Sequence, residues 1–149
     1  MKANVYKLSL VKEKSVDYRY HDLRLHSPDT VAKLIRDIFH TEELAEEYVW
    51  AIAVDAKMHI LGIFEVTHGG IDFSYVSVRD VFKRVLVCGG LALFLVHNHP
   101  SGCVTPSNDD CALTKRVAEA GNLLDVRLID HIIVGGDTYY SFSEDRQLV

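Results

Sequence analysis

Cysteine is scarce. Cys88, Cys103 and Cys111 are the only three in 149 residues. An odd count without framework spacing excludes a disulfide scaffold and points to a reducing compartment. Long apolar runs are absent too: none approaches the ~18 residues that a membrane span needs. Residues 1–10 alternate with charges instead of forming the apolar stretch of a secretory leader. The expectation is a cytoplasmic protein without a membrane partner. Cationic excess is also missing. Sixteen Lys and Arg against 21 Asp and Glu give a formal charge of −5, and that balance does not support a face that grips DNA through its phosphates. No repeat, low-complexity tract or linker divides the chain.

What is present is a globular composition, 48% apolar and 25% charged, which predicts one domain over residues 1–149 with a single core. Alternation of apolar and polar residues predicts two strands at 5–11 and 18–26. Ser27-Pro28-Asp29 then opens a helix, with Ser as N-cap and Pro in the first turn. Strands are expected at 48–54 and 60–67, joined by a turn at 55–59. Ser77 and Asp80 form a capping box for a helix through Val87 that stops at Gly89-Gly90. The apolar run 91–96 reads as a strand buried on both faces. A helix from Ser107 to about Ala120 and strands at 128–134 and 139–142 complete the chain. Strands and helices mix without regular βαβ repetition, so the expected class is α+β, a central mixed sheet flanked by helices. The core is placed at about 40–143, with N-terminal strands and a helix at 4–39. An unpaired edge strand near the N-terminus would permit a dimer.

The informative segment is His97-x-His99, seven residues, Ser107, two residues, Asp110. Two histidines two apart at the end of a strand can point to one side. The loop between Pro100 and Pro106 returns the chain to a helix whose first turn carries Asp110. Two imidazoles and a carboxylate can therefore converge, and three ligands plus water is the open arrangement of catalytic zinc. Spacing alone leaves a plainer reading open, in which Ser107 and Asp110 cap a helix and the histidines simply end a buried strand. Two other chemistries fail on spacing. An HNH nuclease spreads its residues over a ββα unit, and a zinc deaminase needs H-x-E with P-C-x-x-C.

The run His97-Asn98-His99-Pro100-Ser101-Gly102, followed by Thr105-Pro106-Ser107 and Asp110, resembles the RadC family of the JAMM (MPN+) metalloprotease superfamily. Arg79-Asp80-Val81-Phe82, Leu113-Thr114 and Asp130-His131-Ile132-Ile133-Val134-Gly135 extend the resemblance over roughly residues 47–142. It implies a JAMM/MPN (cytidine-deaminase-like) architecture and one Zn2+ per chain on His97, His99 and Asp110. It also implies that Ser107 steadies an oxyanion or water, that Glu47 is the general base with Glu65 as competitor, and that the substrate is a protein or peptide. The family's traditional label adds an alternative, a DNA-repair or mobile-element accessory role in which the domain binds without turnover. Longer relatives of this type carry an N-terminal helix-hairpin-helix segment, which this sequence is expected to lack. Asp130 and His131 read either as a pair orienting a ligand or as a buried strand pair satisfied by backbone. Cys103 stands where the family has an acidic residue. It reads either as a fourth metal ligand, which would close the site, or as a small loop residue.

Overall fold

The computed structural model describes residues 1–17, 25–69 and 76–148. The described residues include three α-helices, α1 (Pro28–Phe39), α2 (Val78–Val87) and α3 (Asn108–Leu124). They also include five strands, β1 (Tyr48–Val54), β2 (Ile60–His68), β3 (Ala92–Asn98), β4 (Arg127–Gly135) and β5 (Thr138–Ser141). The strands form one sheet in the order β2-β1-β3-β4-β5. The β3–β4 pair is parallel and the other pairs are antiparallel. The expected α+β class with a mixed central sheet is therefore the observed one.

Helices cover both faces, and strand alternation assigns each side chain to one of them. Trp50, Ile52, Val54, Phe94, Val96, Ile132 and Val134 pack against α1. Val49, Ala51, Ala53, Leu93 and Leu95 pack against α2 and α3. β1 and β3 are central strands buried on both faces, which is why they read as nearly continuous apolar runs. Trp50 is fully buried and stacks between Phe39 and Tyr48 at centroid distances of 4.9 and 5.6 Å.

The N-terminal strand expected at 5–11 is not formed. Residues 1–17 have no regular structure, and Val5, Tyr6, Leu8 and Val11 are exposed. Alternation makes a segment suitable for a sheet, but a strand exists only where a neighbour supplies its hydrogen bonds. Among the described residues the sheet edges are β2 and β5, and residues 5–11 supply no edge strand. Most of the second expected strand, 18–26, lies outside the described residues. Two boundaries also move. β3 starts at Ala92 and runs on through His97 to Asn98. α3 passes Gly121 and ends at Leu124, capped by Asp125 in the left-handed conformation. Gly121 does not stop the helix. It lets α3 approach β4, since a Cβ there would sit 2.4 Å from the Val126 carbonyl oxygen.

Candidate metal centre

Register builds the site. His97 is the last inward residue of β3 on the α2/α3 face, two positions after Leu95, and His99 follows two residues later. The His99 amide donates to the Val134 carbonyl at 2.8 Å, so the chain stays tied to β4 just beyond the strand. β1 runs antiparallel, with Val49 opposite His97. Continuing that register places Glu47 across from His99, on the same face. The loop through Pro100 and Pro106 then delivers Ser107 as N-cap of α3.

Asp110 uses its two carboxylate oxygens differently. Oδ2 accepts from the Ser107 amide at 2.7 Å and from the Ser107 hydroxyl at 2.8 Å, while the Asp110 amide donates to Ser107 Oγ at 3.1 Å. That is a complete capping box. Oδ1 lies 3.2 Å from His97 Nε2 and, although buried, has no hydrogen-bond partner among the described residues. A buried, unpartnered carboxylate oxygen is costly unless something cationic reaches it.

The imidazoles converge on the same point. His97 Nε2 and His99 Nε2 are 3.0 Å apart, and His99 Nε2 is 3.7 Å from Asp110 Oδ2. One ligand atom from each of the three residues lies within 4.8 Å of the others. His99 Nδ1 donates to the Cys103 carbonyl at 2.6 Å, which fixes the ring and reserves Nε2 for the shared centre. Burial pushes the His97 pKa down, so this ring is neutral. The hydrogen bond to Asp110 holds the His99 pKa up. Burial opposes ionisation of Asp110, but the His97 and His99 imidazoles beside its carboxylate outweigh it and keep the pKa well below the usual carboxylate range. The centre thus sets a carboxylate that favours its ionised form and an imidazole that favours its neutral form beside His99, whose protonated form Asp110 stabilises. The donor set of two imidazole nitrogens and one carboxylate oxygen fits a divalent cation.

Around this centre the expected residues divide. Glu47 is half-buried. Burial raises its pKa, and it is close enough to feel the charges of His99 and Asp110. Glu65 is exposed and accepts from His68 Nδ1 at 2.6 Å. Asp130 and His131 leave opposite faces of β4, because Asp130 pairs with Phe94 and His131 with Leu95. Asp130 accepts from the Ser141 hydroxyl and the Ser143 amide, and so anchors the turn after β5. His131 is fully buried and lies 2.9 Å from His97 Nδ1 through its own Nε2. Cys103 contributes its carbonyl to His99, whereas its exposed thiol turns to Thr105.

Two supporting residues escaped the sequence reading. Asn98 points away from the histidines into β1. Its Nδ2 donates to the Glu46 carbonyl at 3.0 Å, and its Oδ1 accepts from the Tyr48 amide at 2.7 Å. This buried amide therefore brackets Glu47 on both sides. Thr114 donates to the Asp110 carbonyl at 2.7 Å and meets His131 Nδ1 at 2.6 Å. Its spacing of four from Asp110 puts both on one helix face, a signal the sequence did carry.

Known proteins resemble this chain over most of its length. A family model described as "RadC-like JAB domain" matches residues 25–148. Proteins named UPF0758 are similar over most of the chain. The one from Alkaliphilus metalliredigens (strain QYMF) is 36% identical over 137 residues, covering 92% of this chain and 58% of the relative. Its counterpart from Pelobacter propionicus is 38% identical over 130 residues, covering 85% and 57%. The one from Thermotoga maritima is 37% identical over 125 residues, covering 84% and 55%. The chain thus spans a little over half the length of these curated relatives.

Proposed function

The chain belongs to the RadC-like JAB domain family, and on that premise we propose that it is a zinc-dependent hydrolase that cuts an amide or isopeptide bond of a protein or peptide. The observation that carries this reading is the meeting of His97 Nε2, His99 Nε2 and Asp110 Oδ1 at one point, with the Glu47 carboxylate across from it. Bound there, zinc would supply Lewis acidity, polarising a carbonyl and lowering the pKa of a water to about 7.

The chain supplies the rest. Glu47 accepts the proton of the attacking water and returns it to the leaving amine. Its partial burial suits that task, because a carboxylate with a raised pKa holds the proton better between the two steps. Ser107 steadies the oxyanion. That role requires its hydroxyl hydrogen to swing away from Asp110 Oδ2, an oxygen that the Ser107 amide continues to hold. Asp110 stays ionised and ligates through Oδ1 while Oδ2 keeps the helix cap.

The test is elemental analysis of the purified protein beside His99→Ala and Asp110→Ala, followed by a screen of peptide and isopeptide substrates. One zinc per chain is expected, lost in both variants. Glu47→Gln should keep the zinc and lose turnover by roughly 10²–10⁴-fold. Absence of zinc from wild type after reconstitution would sink the proposal.

A further inference from the structure

His97 does not stand alone behind the metal position. A closed chain of side chains runs from it into the protein and returns to Asp110. His97 Nδ1 is 2.9 Å from His131 Nε2, His131 Nδ1 is 2.6 Å from Thr114 Oγ1, and Thr114 Oγ1 is 2.7 Å from the Asp110 carbonyl oxygen. His97 and His131 are fully buried and Thr114 is nearly so, so water does not compete for these bonds.

The hydrogens in this chain are fixed by counting. The Asp110 carbonyl can only accept, so Thr114 spends its single hydroxyl hydrogen there. Thr114 Oγ1 is then an acceptor toward His131, which must carry its proton on Nδ1. Neither ring nitrogen of His131 faces an anion, and the buried ring is neutral, which leaves Nε2 as an acceptor. His97 must in turn carry its proton on Nδ1, so its Nε2 presents a lone pair toward His99 and Asp110. A ring carrying its proton on Nε2 could not ligate through that nitrogen, the one that faces His99 and Asp110.

We propose that Thr114 and His131 are positioning residues that set the tautomer of His97 and thereby make its Nε2 a metal ligand. The idea rests on the metal reading above and adds to it the source of ligand competence. A threonine bonding back to the carbonyl four residues earlier is ordinary in helices. What is not ordinary is a second buried bond from that hydroxyl to an imidazole that in turn contacts a ligand. The register shift between Leu93 and Phe94 in the β3–β4 pairing belongs to the same device. It brings His131 opposite Leu95, on the face toward α3, although Leu128 is also on that face. Unbroken alternation would have turned His131 to the α1 side.

Two measurements test this. Long-range proton–nitrogen NMR of the metal-free wild type reads each tautomer directly. Protonated Nδ1 with bare Nε2 is expected for His131 and His97, and His131 protonated on Nε2 would overturn the proposal without any variant. Zinc affinity by chelator competition comes second, with the cobalt-loaded visible spectrum as a report on ligand geometry. Thr114→Val should weaken zinc binding about 10–100-fold and alter the cobalt spectrum, and Thr114→Ser should restore both. His131→Gln, which can still accept from His97 Nδ1, should bind more tightly than His131→Leu. This pair decides the matter if Thr114→Val does not fold. Equal affinities within each pair, with wild type binding zinc, would overturn the inference alone. A wild type that binds neither zinc nor cobalt would instead overturn the metal reading.

Discussion

A proton on His99 and a metal ion on the same three residues would compete for one place, which predicts opposite pH dependences for the protein without and with metal. His97 and His131 have lowered pKa values because burial disfavours their charged forms. Their contribution to stability is complete above pH 6.5, the ordinary histidine value, and is lost as the pH falls below it. His99 has a raised pKa through its bond to Asp110, so its contribution is complete below 6.5 and lost as the pH rises through the folded value. The histidine contribution to the stability of the metal-free protein should therefore peak near pH 6.5, whereas zinc affinity should climb with pH until the His99 proton is gone. Thermal midpoints measured across this range with and without zinc check both arms. A metal-free midpoint that keeps rising above pH 6.5, with no loss from His99, would contradict the assignment. Asn98 gives a second expectation. Asn98→Ala leaves the Tyr48 amide and the Glu46 carbonyl without their partner, at a cost of about 1–3 kcal/mol. Amide exchange at Tyr48 should accelerate while zinc binding persists, because Asn98 holds the backbone on either side of Glu47 and its side chain does not touch His97, His99 or Asp110.

Between elements, the contacts that matter are those that bring three separate segments to one point. α3 reaches the site because its first turn is locked by the Ser107–Asp110 capping box. The loop after His99 is held down at Gly135, at the end of β4. A Cβ on Gly135 would lie 2.8 Å from the Gly102 carbonyl oxygen and 3.0 Å from Val104 Cγ1. Gly135→Ala must push out the loop whose Cys103 carbonyl accepts from His99 Nδ1. The expected result is a stability loss of about 1–3 kcal/mol from overpacking together with roughly tenfold weaker zinc binding. Calorimetric titration would read the affinity and a melt the stability. Unchanged affinity in a folded variant would show that the Cys103 carbonyl does not orient His99.

For the molecule as a whole, metal binding to the folded state alone is added stability. At a free zinc concentration one hundred times Kd, that gain is about 2.7 kcal/mol. In a domain of this length it corresponds to a rise of about 5–10 °C in the midpoint. A chelator should reverse the rise, and Asp110→Ala should abolish it. Among the described residues no helix is long and apolar enough to cross a membrane. The formal charge of −5 places no weight on phosphate contacts. The relatives extend well beyond the region shared with this chain.

Much of this was legible in order along the chain. The caps at Ser27, Ser77 and Ser107, the buried central strands and the His97, His99, Ser107, Asp110 spacing are local patterns, governed by backbone hydrogen bonding and alternation. The two readings of Ser107 and Asp110, cap or ligand, needed coordinates to be seen as compatible, since Oδ2 serves the cap while Oδ1 faces His97. Local pattern also misled at residues 5–11, where alternation without a partner strand made nothing. Pairing decided the rest. The register of β1 against β3 set Glu47 rather than Glu65 facing the histidines. A shifted register in β4 sent His131 toward His97 and Asp130 toward Ser141. These are distances between segments far apart in sequence, fixed by which strand lies beside which, and no local pattern carries that information.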